Sequence, residues 1–330
     1  MSASKDMPLN ATEAFSMAGK VVIVTGAGGN VGGGICEVFA ANSAKLVCSD
    51  KPDDRLAAIG SRLRLTNPDV AEIPCDLANA KELQGLVDQT LLRFGRLDAI
   101  VNCGGIATSA PLEQEKAEDF DRLYHTNVRS IWLLTQYAME PMRKGGGGSI
   151  VNIASINGHR AVFFCSLYGS TKAAVLAMTR EMAVELAPYN IRVNSVSPGL
   201  IPHAGGGRFA WLMRQLAEPH ASRLKQQFGQ AVQEVSQNQQ PLQRTGHGHD
   251  VGMACYYLCS PAARFVTGGD ILVDGGKNLE MHASEPRLSG DSQNPWKALR
   301  EELVQLPDDA WIGEMPQWLV KLKQKNAVKV

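Results

Sequence analysis

The sequence predicts an α/β protein: a single Rossmann-like, doubly wound parallel sheet of about seven strands, flanked by helices. Short β-branched runs alternate with amphipathic stretches of helical length, as they do in parallel sheets. The first run, residues 20–25, leads into a glycine-rich turn at residues 26–34 and then into helix-forming residues. A strand, such a turn and a helix in this order are typical of a nucleotide-phosphate site. A helical lid and a C-terminal extension complete the predicted architecture.

The expected strands and helices follow one another along most of the chain. The strands are expected at residues 20–25, 45–50, 70–75, 97–102, 148–154, 190–196 and 270–276. The helices are expected at residues 35–41, about 80–94, about 118–143, between about 168 and 188, and 250–259. The resulting organisation is a flexible arm at 1–18, a main domain at 19–278 and an extension at 279–330.

The composition argues against nucleic acid and membranes as partners. The 33 basic residues balance 33 acidic ones, so no net charge attracts nucleic acid or a membrane surface. No apolar run reaches bilayer-spanning length, and the first 18 residues lack the basic and apolar regions of a secretion signal. The seven cysteines include no C-x-x-C pair. We therefore expect a cytoplasmic protein with reduced thiols and no metal site.

The glycine-rich turn and Asp50 predict a nucleotide site that prefers NAD. Without Cβ atoms, the backbone of residues 26–34 can approach a pyrophosphate at the N-terminus of the next helix. Asp50 ends the second strand, where a carboxylate can accept hydrogen bonds from both ribose hydroxyls and repels a 2′-phosphate. NAD is therefore favoured over NADP, although the neighbouring Lys51 could soften that preference. The alternative is that Asp50 only caps the turn before Pro52.

Tyr168 and Lys172 form an acid/base pair if they lie on a helix. Because they are four residues apart, both project from one helix face. The ammonium favours the phenolate, so the pair predicts a Tyr168 pKa below its usual value of about 10. Ser155 follows the strand at 148–154 and places a hydroxyl at the edge of the sheet where such folds bind ligands. The alternative is a tyrosine and a lysine that only share an exposed face.

Two segments fall outside the regular alternation. Residues 200–246 contain amphipathic pieces within a glycine- and glutamine-rich insertion, which predicts a helical lid; a mobile surface loop is the alternative. In the extension, Trp296, Trp311 and Trp318 recur among polar residues and are costly to leave exposed. We expect the extension to dock on the domain or on a partner subunit. The alternative is a disordered appendage whose tryptophans stay in water.

Across about residues 18–278, these motifs resemble those of the short-chain dehydrogenase/reductase family, in its single-domain branch. Residues 25–32 are similar to T-G-x-x-x-G-x-G, and residues 102–105 are similar to N-N-A-G. Pro198-Gly199 matches the P-G that follows the sixth strand of the family, and Asp76 matches the acid that contacts adenine. The four catalytic positions of the family fall on Asn127, Ser155, Tyr168 and Lys172.

The chain departs from the family pattern at three places. Asn30 replaces the middle glycine of the turn, where its tolerance of left-handed geometry can preserve the turn. Cys103 and Gly104 replace Asn and Ala. His203 stands where the family commonly has a Thr that contacts the nicotinamide carboxamide, so that contact must come from elsewhere.

The resemblance implies hydride transfer between NAD(H) and a secondary alcohol or ketone, in a homodimer or homotetramer. It implies that Tyr168 exchanges a proton with the substrate oxygen, that Ser155 anchors that oxygen, and that Lys172 lowers the phenol pKa and binds the nicotinamide ribose. Asn127 is expected to hold a water on a proton path from Lys172. Cofactor contacts are expected from Gly26, Gly29, Asn30, Val31, Gly32, Asp50, Asp76, Leu77, Asn102, Gly104, Tyr168, Lys172, Pro198, Gly199 and Ile201.

The substrate pocket is expected around the loop that follows Ser155. The expected pocket residues are His159, Phe163, Phe164 and His203. Two adjacent phenylalanines favour an apolar or ring-bearing alcohol, although simple packing of these rings in the core is an equal alternative. Two other functions stay open: an NAD-dependent epimerase or dehydratase, which also uses Tyr-x-x-x-Lys, and a non-catalytic NAD(H)-binding module.

Overall fold

The computed structural model describes residues 10–201, 208–237, 240–279 and 295–327, and these residues contain one seven-stranded sheet. Every neighbouring pair of strands is parallel, and the strand order is β3-β2-β1-β4-β5-β6-β7. The strands are β1 Val21–Thr25, β2 Lys45–Ser49, β3 Val70–Glu72, β4 Ala99–Asn102, β5 Gly148–Ile153, β6 Ile191–Pro198 and β7 Asp270–Val273. The predicted fold class is therefore confirmed.

Helices cover both faces of the sheet. They are α1 Ala11–Ala14, α2 Asn30–Ala41, α3 Asp54–Arg64, α4 Ala80–Phe94, α5 Ala117–Tyr124, α6 Ser130–Lys144, α7 Ser166–Leu186, α8 Arg208–Arg214, α9 His220–Gln237, α10 Gly248–Cys259, α11 Pro295–Gln305 and α12 Gln317–Ala327. Within the residue ranges that the structure describes, no helix is long and apolar enough to cross a membrane.

The alternation of side chains along β1 divides the core into two layers. Val22 and Val24 point to one face and pack with residues of α2, α3 and α10. Ile23 points to the other face and packs with residues of α4, α6 and α7. The strand order reverses between β1 and β4, which creates a crevice at the carboxyl ends of these strands. The fold therefore directs any ligand to this edge of the sheet.

The helix after the glycine-rich turn begins earlier than the sequence predicts. It starts at Asn30 rather than at residue 35, so Gly32, Gly33 and Gly34 lie inside α2. Glycine lowers helix propensity, but here it permits a close helix crossing: a Cβ at Gly34 would lie 2.4 Å from the carbonyl carbon of Gly248 on α10. Tertiary packing therefore extends this helix against the local preference of its residues.

Two other boundaries differ from expectation. The helix expected at about 118–143 is divided, because His125–Arg129 forms a π-helical turn between α5 and α6. Part of the expected flexible arm is packed: Met17 is buried, and its N–H donates to the Tyr256 hydroxyl at 3.2 Å. The short helix α1 precedes this contact.

Candidate active site

Three glycines bring the ends of β1 and β4 together beside the first turn of α2. Gly26 has a φ of +70°, and a Cβ there would lie 2.6 Å from the Gly104 Cα. A Cβ at Gly32 would lie only 2.0 Å from the Gly26 carbonyl oxygen. The Thr25 hydroxyl oxygen accepts the N–H of Cys103 at 3.1 Å and that of Gly104 at 3.0 Å. The resulting backbone cradle fits a dinucleotide, since side chains here would fill the space.

Asn30 does not need the left-handed geometry that its position suggested. It is the first residue of α2, and Gly29 at the N-cap has extended geometry. Asn30 is absent from the described non-glycine residues with positive φ. Because a helical φ is available to any residue, the replacement of glycine by Asn30 costs no backbone strain. Val31 follows it in the same helical turn.

Asp50 is fixed at the carboxyl end of β2. Its carboxylate accepts the N–H of Gly28 at 2.9 Å and the N–H of Lys51 at 2.8 Å. The Lys51 ammonium lies 3.3 Å from the Asp76 carboxylate, so its charge is directed to the neighbouring acid. Leu77 reaches the cradle, because a Cβ at Gly104 would lie 2.4 Å from its Cδ1. These side chains surround the expected position of an adenosine.

The remaining expected cofactor residues lie at two places. The Asn102 side chain is buried and donates to the Asn152 side chain at 2.8 Å, so it connects β4 to β5 inside the core. Pro198 ends β6, and Gly199 packs so closely on Asp274 that a Cβ would lie 2.7 Å from its Cα. Ile201 is buried at the edge of the core. Asn102 therefore links strands inside the sheet, whereas residues 198–201 lie at the carboxyl end of β6.

Ser155, Tyr168 and Lys172 meet at the carboxyl end of β5. Ser155 caps a short turn, where its hydroxyl oxygen accepts the N–H of Asn157 at 3.1 Å. Tyr168 and Lys172 lie on α7, with the Lys172 Nζ 5.8 Å from the centre of the Tyr168 ring. The Lys172 Nζ donates to the Ile153 carbonyl at 2.7 Å. The expected catalytic group is thus brought together by one strand end and one helix.

The two titratable groups of this cluster have shifted pKa values. Burial raises the pKa of Tyr168, and a hydrogen bond with the Ser155 hydroxyl only partly opposes this. The sequence-based expectation that the Tyr168 pKa is lowered is therefore wrong for the protein alone, because loss of water around the phenolate outweighs the other effects. Burial also lowers the pKa of Lys172 to about 8.

Asn127 lies in the π-helical turn and is 1% exposed, whereas a mid-helix asparagine usually faces solvent. Its side-chain N–H groups donate to the Ile106 carbonyl at 2.8 Å and to the Thr171 hydroxyl at 3.1 Å. Its side-chain oxygen accepts the Ile106 N–H at 2.8 Å. Asn127 therefore joins the loop after β4 to α7, one residue before Lys172. Such π-helical turns are frequent at functional sites.

The expected substrate residues are in three different settings. His159 Nε2 contacts the Asp270 carboxylate at 2.9 Å and the Ser197 hydroxyl at 3.2 Å, so its ring connects this loop to β6 and β7. Phe163 is 57% exposed beside the catalytic helix, while Phe164 is buried and stacks on it with ring centres 4.2 Å apart. The expectation for His203 falls outside the described residues. Of the three expected pocket residues that the structure describes, Phe163 alone exposes an apolar side chain.

Sequence reasoning did not find a groove of about 510 Å³ between α2, α3 and the start of α10. Arg62 and His249 line it; Arg62 forms an ion pair with Glu37, and the His249 ring contacts the other oxygen of the same carboxylate. Gly28 and the expected cofactor residues Gly29 and Asn30 border the groove, but none of the four expected catalytic residues does. The groove therefore adjoins the glycine-rich turn and is separate from the Tyr168 cluster.

The glycine cradle, the acid at the end of β2 and the Ser–Tyr–Lys cluster define a dinucleotide-dependent oxidoreductase of the Rossmann type. The chain belongs to the short-chain dehydrogenase/reductase family. Residues 26–278 match the family model described as enoyl-(acyl carrier protein) reductase.

Individual relatives cover most of the chain. A cyclopentanol dehydrogenase of Comamonas sp. is 35% identical over 259 residues, which are 78% of this chain and 96% of the relative. A Bos taurus L-fucose dehydrogenase is 35% identical over 267 residues, with 79% and 90% coverage. Among solved structures, a 7α-hydroxysteroid dehydrogenase in complex with NADH and 7-oxo glycochenodeoxycholic acid has a TM-score of 0.68 and 30% identity, and covers 81% of this chain and 98% of its own.

Proposed function

We propose that the protein transfers hydride between NAD(H) and a secondary alcohol or its ketone, with an apolar ring next to the reacting carbon. The observation that carries this proposal is the convergence of the Ser155 hydroxyl and the Tyr168 phenol at the end of β5, with the Lys172 Nζ 5.8 Å from the centre of the phenol ring. Two hydroxyls at one point can both bind a carbonyl oxygen, one as proton donor and one as an anchor. The nicotinamide, when bound, supplies or accepts the hydride.

Tyr168 is the proposed proton donor to the ketone oxygen and the proton acceptor in the reverse direction. Because burial raises its pKa, the phenol keeps its proton at neutral pH and can donate it to a carbonyl. Ser155 holds the same oxygen and directs it towards the phenol. Lys172, whose Nζ lies 5.8 Å from the ring centre, stabilises the phenolate that remains after proton transfer. Asn127 positions α7, the helix that carries Tyr168 and Lys172.

The preference for a ring-bearing substrate is supported by the apolar surface just before α7, the helix that carries Tyr168. Phe163 exposes its ring three residues before Ser166, where α7 begins, and the Phe164 ring stacks against it. Two of the comparison proteins are dehydrogenases whose names refer to a cyclopentanol and a steroid. A sugar dehydrogenase is also among the relatives, so polar rings belong in any test.

The test is NAD reduction with a matched panel of alcohols. The panel contains propan-2-ol, cyclopentanol, cyclohexanol, a hydroxysteroid and L-fucose, and the product of each reaction is identified as a ketone or lactone. Turnover with an apolar cyclic alcohol, at a higher kcat/KM than with propan-2-ol or L-fucose, supports the proposal. Tight NADH binding without turnover of any alcohol or ketone contradicts it and favours a binding module.

We propose that NAD is preferred over NADP and that Asp50 determines this. Since its carboxylate is fixed by two backbone N–H groups, it cannot turn away from a 2′-phosphate without losing both hydrogen bonds. Asp50→Ala is expected to lower the NAD/NADP ratio of kcat/KM by about 10-fold or more, which corresponds to about 1.4 kcal/mol. The matched control is Asp54→Ala, which removes an exposed acid nearby on α3. A wild-type preference for NADP contradicts the assignment.

A further inference from the structure

The C-terminal extension packs on the lid of its own chain and forms a third apolar cluster. This lid–tail cluster consists of Phe164 and of residues from α8, α9, α11, α12, the segment between α8 and α9 and the segment between α11 and α12. Its buried members are Phe164, Trp211, Leu212, Met213, Leu216, Ala221, Leu224, Phe228, Val232, Leu299, Leu303, Val304, Leu306, Ala310, Trp311 and Leu319. The tail part lies beyond residues 26–278, which match the family model. The cluster is thus an addition to the family domain.

Backbone hydrogen bonds fix the extension against the lid. The Ala217 N–H donates to the Ala310 carbonyl at 2.9 Å, and the Ile312 N–H donates to the Gln215 carbonyl at 2.7 Å. An ion pair of 3.1 Å joins Arg223 of α9 to Glu302 of α11. The extension is therefore held at a defined position on the lid by directional bonds as well as by apolar burial.

Phe164 is the buried residue of this cluster that comes from the active-site loop. Its ring centre lies 4.9 Å from that of Trp211 on the lid and 6.3 Å from that of Trp318 on the extension. The indole N–H of Trp318 is buried with no hydrogen-bond partner within the described part of the chain. Apolar packing, and not a polar anchor, therefore holds the Trp318 ring beside Phe164.

The backbone of Phe164 is strained. Its φ is +67°, in the left-handed region that is unfavourable for a non-glycine residue. Such a conformation persists only where surrounding contacts hold it. Here the contacts are the two tryptophan rings and the Ala110 N–H, which donates to the Phe164 carbonyl at 3.1 Å. The lid and the extension therefore stabilise a backbone conformation that the loop would not adopt alone.

This strained residue is close to the proposed chemistry. Phe164 lies four residues before Tyr168, and its ring supports the exposed ring of Phe163. Just after it, the Ser166 hydroxyl donates to Glu115, and the Gly169 N–H donates to the Cys165 carbonyl at 2.7 Å to begin α7. A shift at Phe164 therefore moves the Phe163 surface while these bonds keep the start of the catalytic helix in place.

We propose that Trp318 of the C-terminal extension is a specificity-determining residue that acts through Phe164. With Trp211, it holds Phe164 in the left-handed conformation and so supports Phe163 as an apolar wall for a substrate ring. The substrate part of this inference rests on the proposed function. Small alcohols touch little of this wall, whereas cyclic alcohols depend on it.

The first test compares Trp318→Ala with Ile312→Ala, a control in the same extension whose side chain is 61% exposed. Trp318→Ala is expected to raise the KM for cyclohexanol about 5-fold, the scale of one lost aromatic contact. The KM for propan-2-ol, the kcat and the Kd for NADH are expected to stay within about 2-fold, since the catalytic group is unchanged. Trp318→Phe, which keeps a ring, should recover most of the cyclohexanol affinity. Equal effects on both alcohols overturn the proposal.

The second test uses Phe164→Gly, because glycine accepts a φ of +67° without strain and removes only the ring. This variant is expected to raise the KM for cyclohexanol like Trp318→Ala, and the double variant to add nothing further. Additive effects contradict the coupling between the two residues.

A third measurement does not depend on turnover. Hydrogen exchange at the Ala110 amide, which bonds to the Phe164 carbonyl, is expected to accelerate about 10-fold in Trp318→Ala and to be unchanged in Ile312→Ala. If wild-type protein turns over no alcohol, the proposed function fails while this exchange still decides the coupling. An exchange rate at Ala110 that is unchanged in Trp318→Ala overturns the coupling between Trp318 and Phe164.

Discussion

Replacing Tyr168 with phenylalanine is expected to lower kcat for a secondary alcohol at least about 100-fold, the scale of general acid–base catalysis. The ring stays, so packing around α7 and the affinity for NADH should change little. The phenol is half-buried next to the Ser155 hydroxyl, and no other described hydroxyl lies on that face of α7 one turn from Lys172. Steady-state rates and NADH fluorescence titration measure the two quantities separately.

The matched control for this substitution is Tyr189→Phe. Tyr189 follows α7 in the same chain segment, but its side chain is 42% exposed and far along the helix from the cluster. The control should retain wild-type kcat and NADH affinity. If Tyr168→Phe keeps more than about a tenth of wild-type turnover, Tyr168 is not the acid/base, because loss of a proton donor costs at least that factor.

Gly32→Ala is expected to weaken NADH binding at least about 10-fold and to lower the free energy of unfolding by about 1–3 kcal/mol, the usual cost of overpacking. The added methyl group would lie 2.0 Å from the Gly26 carbonyl oxygen and 2.7 Å from its carbonyl carbon. Both are backbone atoms of the nucleotide turn, so relief of the clash must displace the cradle itself. Titration with NADH and thermal unfolding measure the two effects.

Gly33→Ala is the control that the chain offers one residue further along α2. A Cβ at Gly33 would meet the Ala27 carbonyl oxygen at 3.5 Å, an ordinary contact. Because alanine favours a helix over glycine, this variant should bind NADH normally and gain about 0.5–1 kcal/mol of stability. Equal loss of binding in both variants would mean that helix α2, and not the close approach at Gly32, is responsible.

The sheet and the placement of Tyr168 and Lys172 on one helix could be predicted because both depend on short-range patterns. β-branched runs mark the strands, and the four-residue spacing of Tyr168 and Lys172 survives in α7. The cradle glycines were recognisable for the same reason, since a strand, a turn and a helix follow one another without interruption. Their close contact with Gly104, more than 70 residues away, is a consequence of parallel pairing between β1 and β4.

The features that sequence reasoning missed depend on contacts between distant residues. Asn127 is buried because it bonds to the loop at Ile106, and this requires a π-helical turn that no local pattern indicates. The contact between His159 and Asp270, 111 residues away, has no local signal either, and the place of His159 in the substrate pocket stays a prediction. The direction of the Tyr168 pKa was wrong because the sequence shows a neighbouring cation but not the depth of burial.

The position of the lid–tail cluster has a consequence for the order in which this enzyme matures on the ribosome. The last strand ends at Val273, so the sheet and the Ser155–Tyr168–Lys172 group can assemble before residues 295–327 are synthesised. At that stage Phe164 has its lid partner Trp211 but not Trp318. On the roles proposed for Tyr168 and Trp318, the nascent protein therefore forms its proton-transfer group before it gains the second ring that supports Phe164.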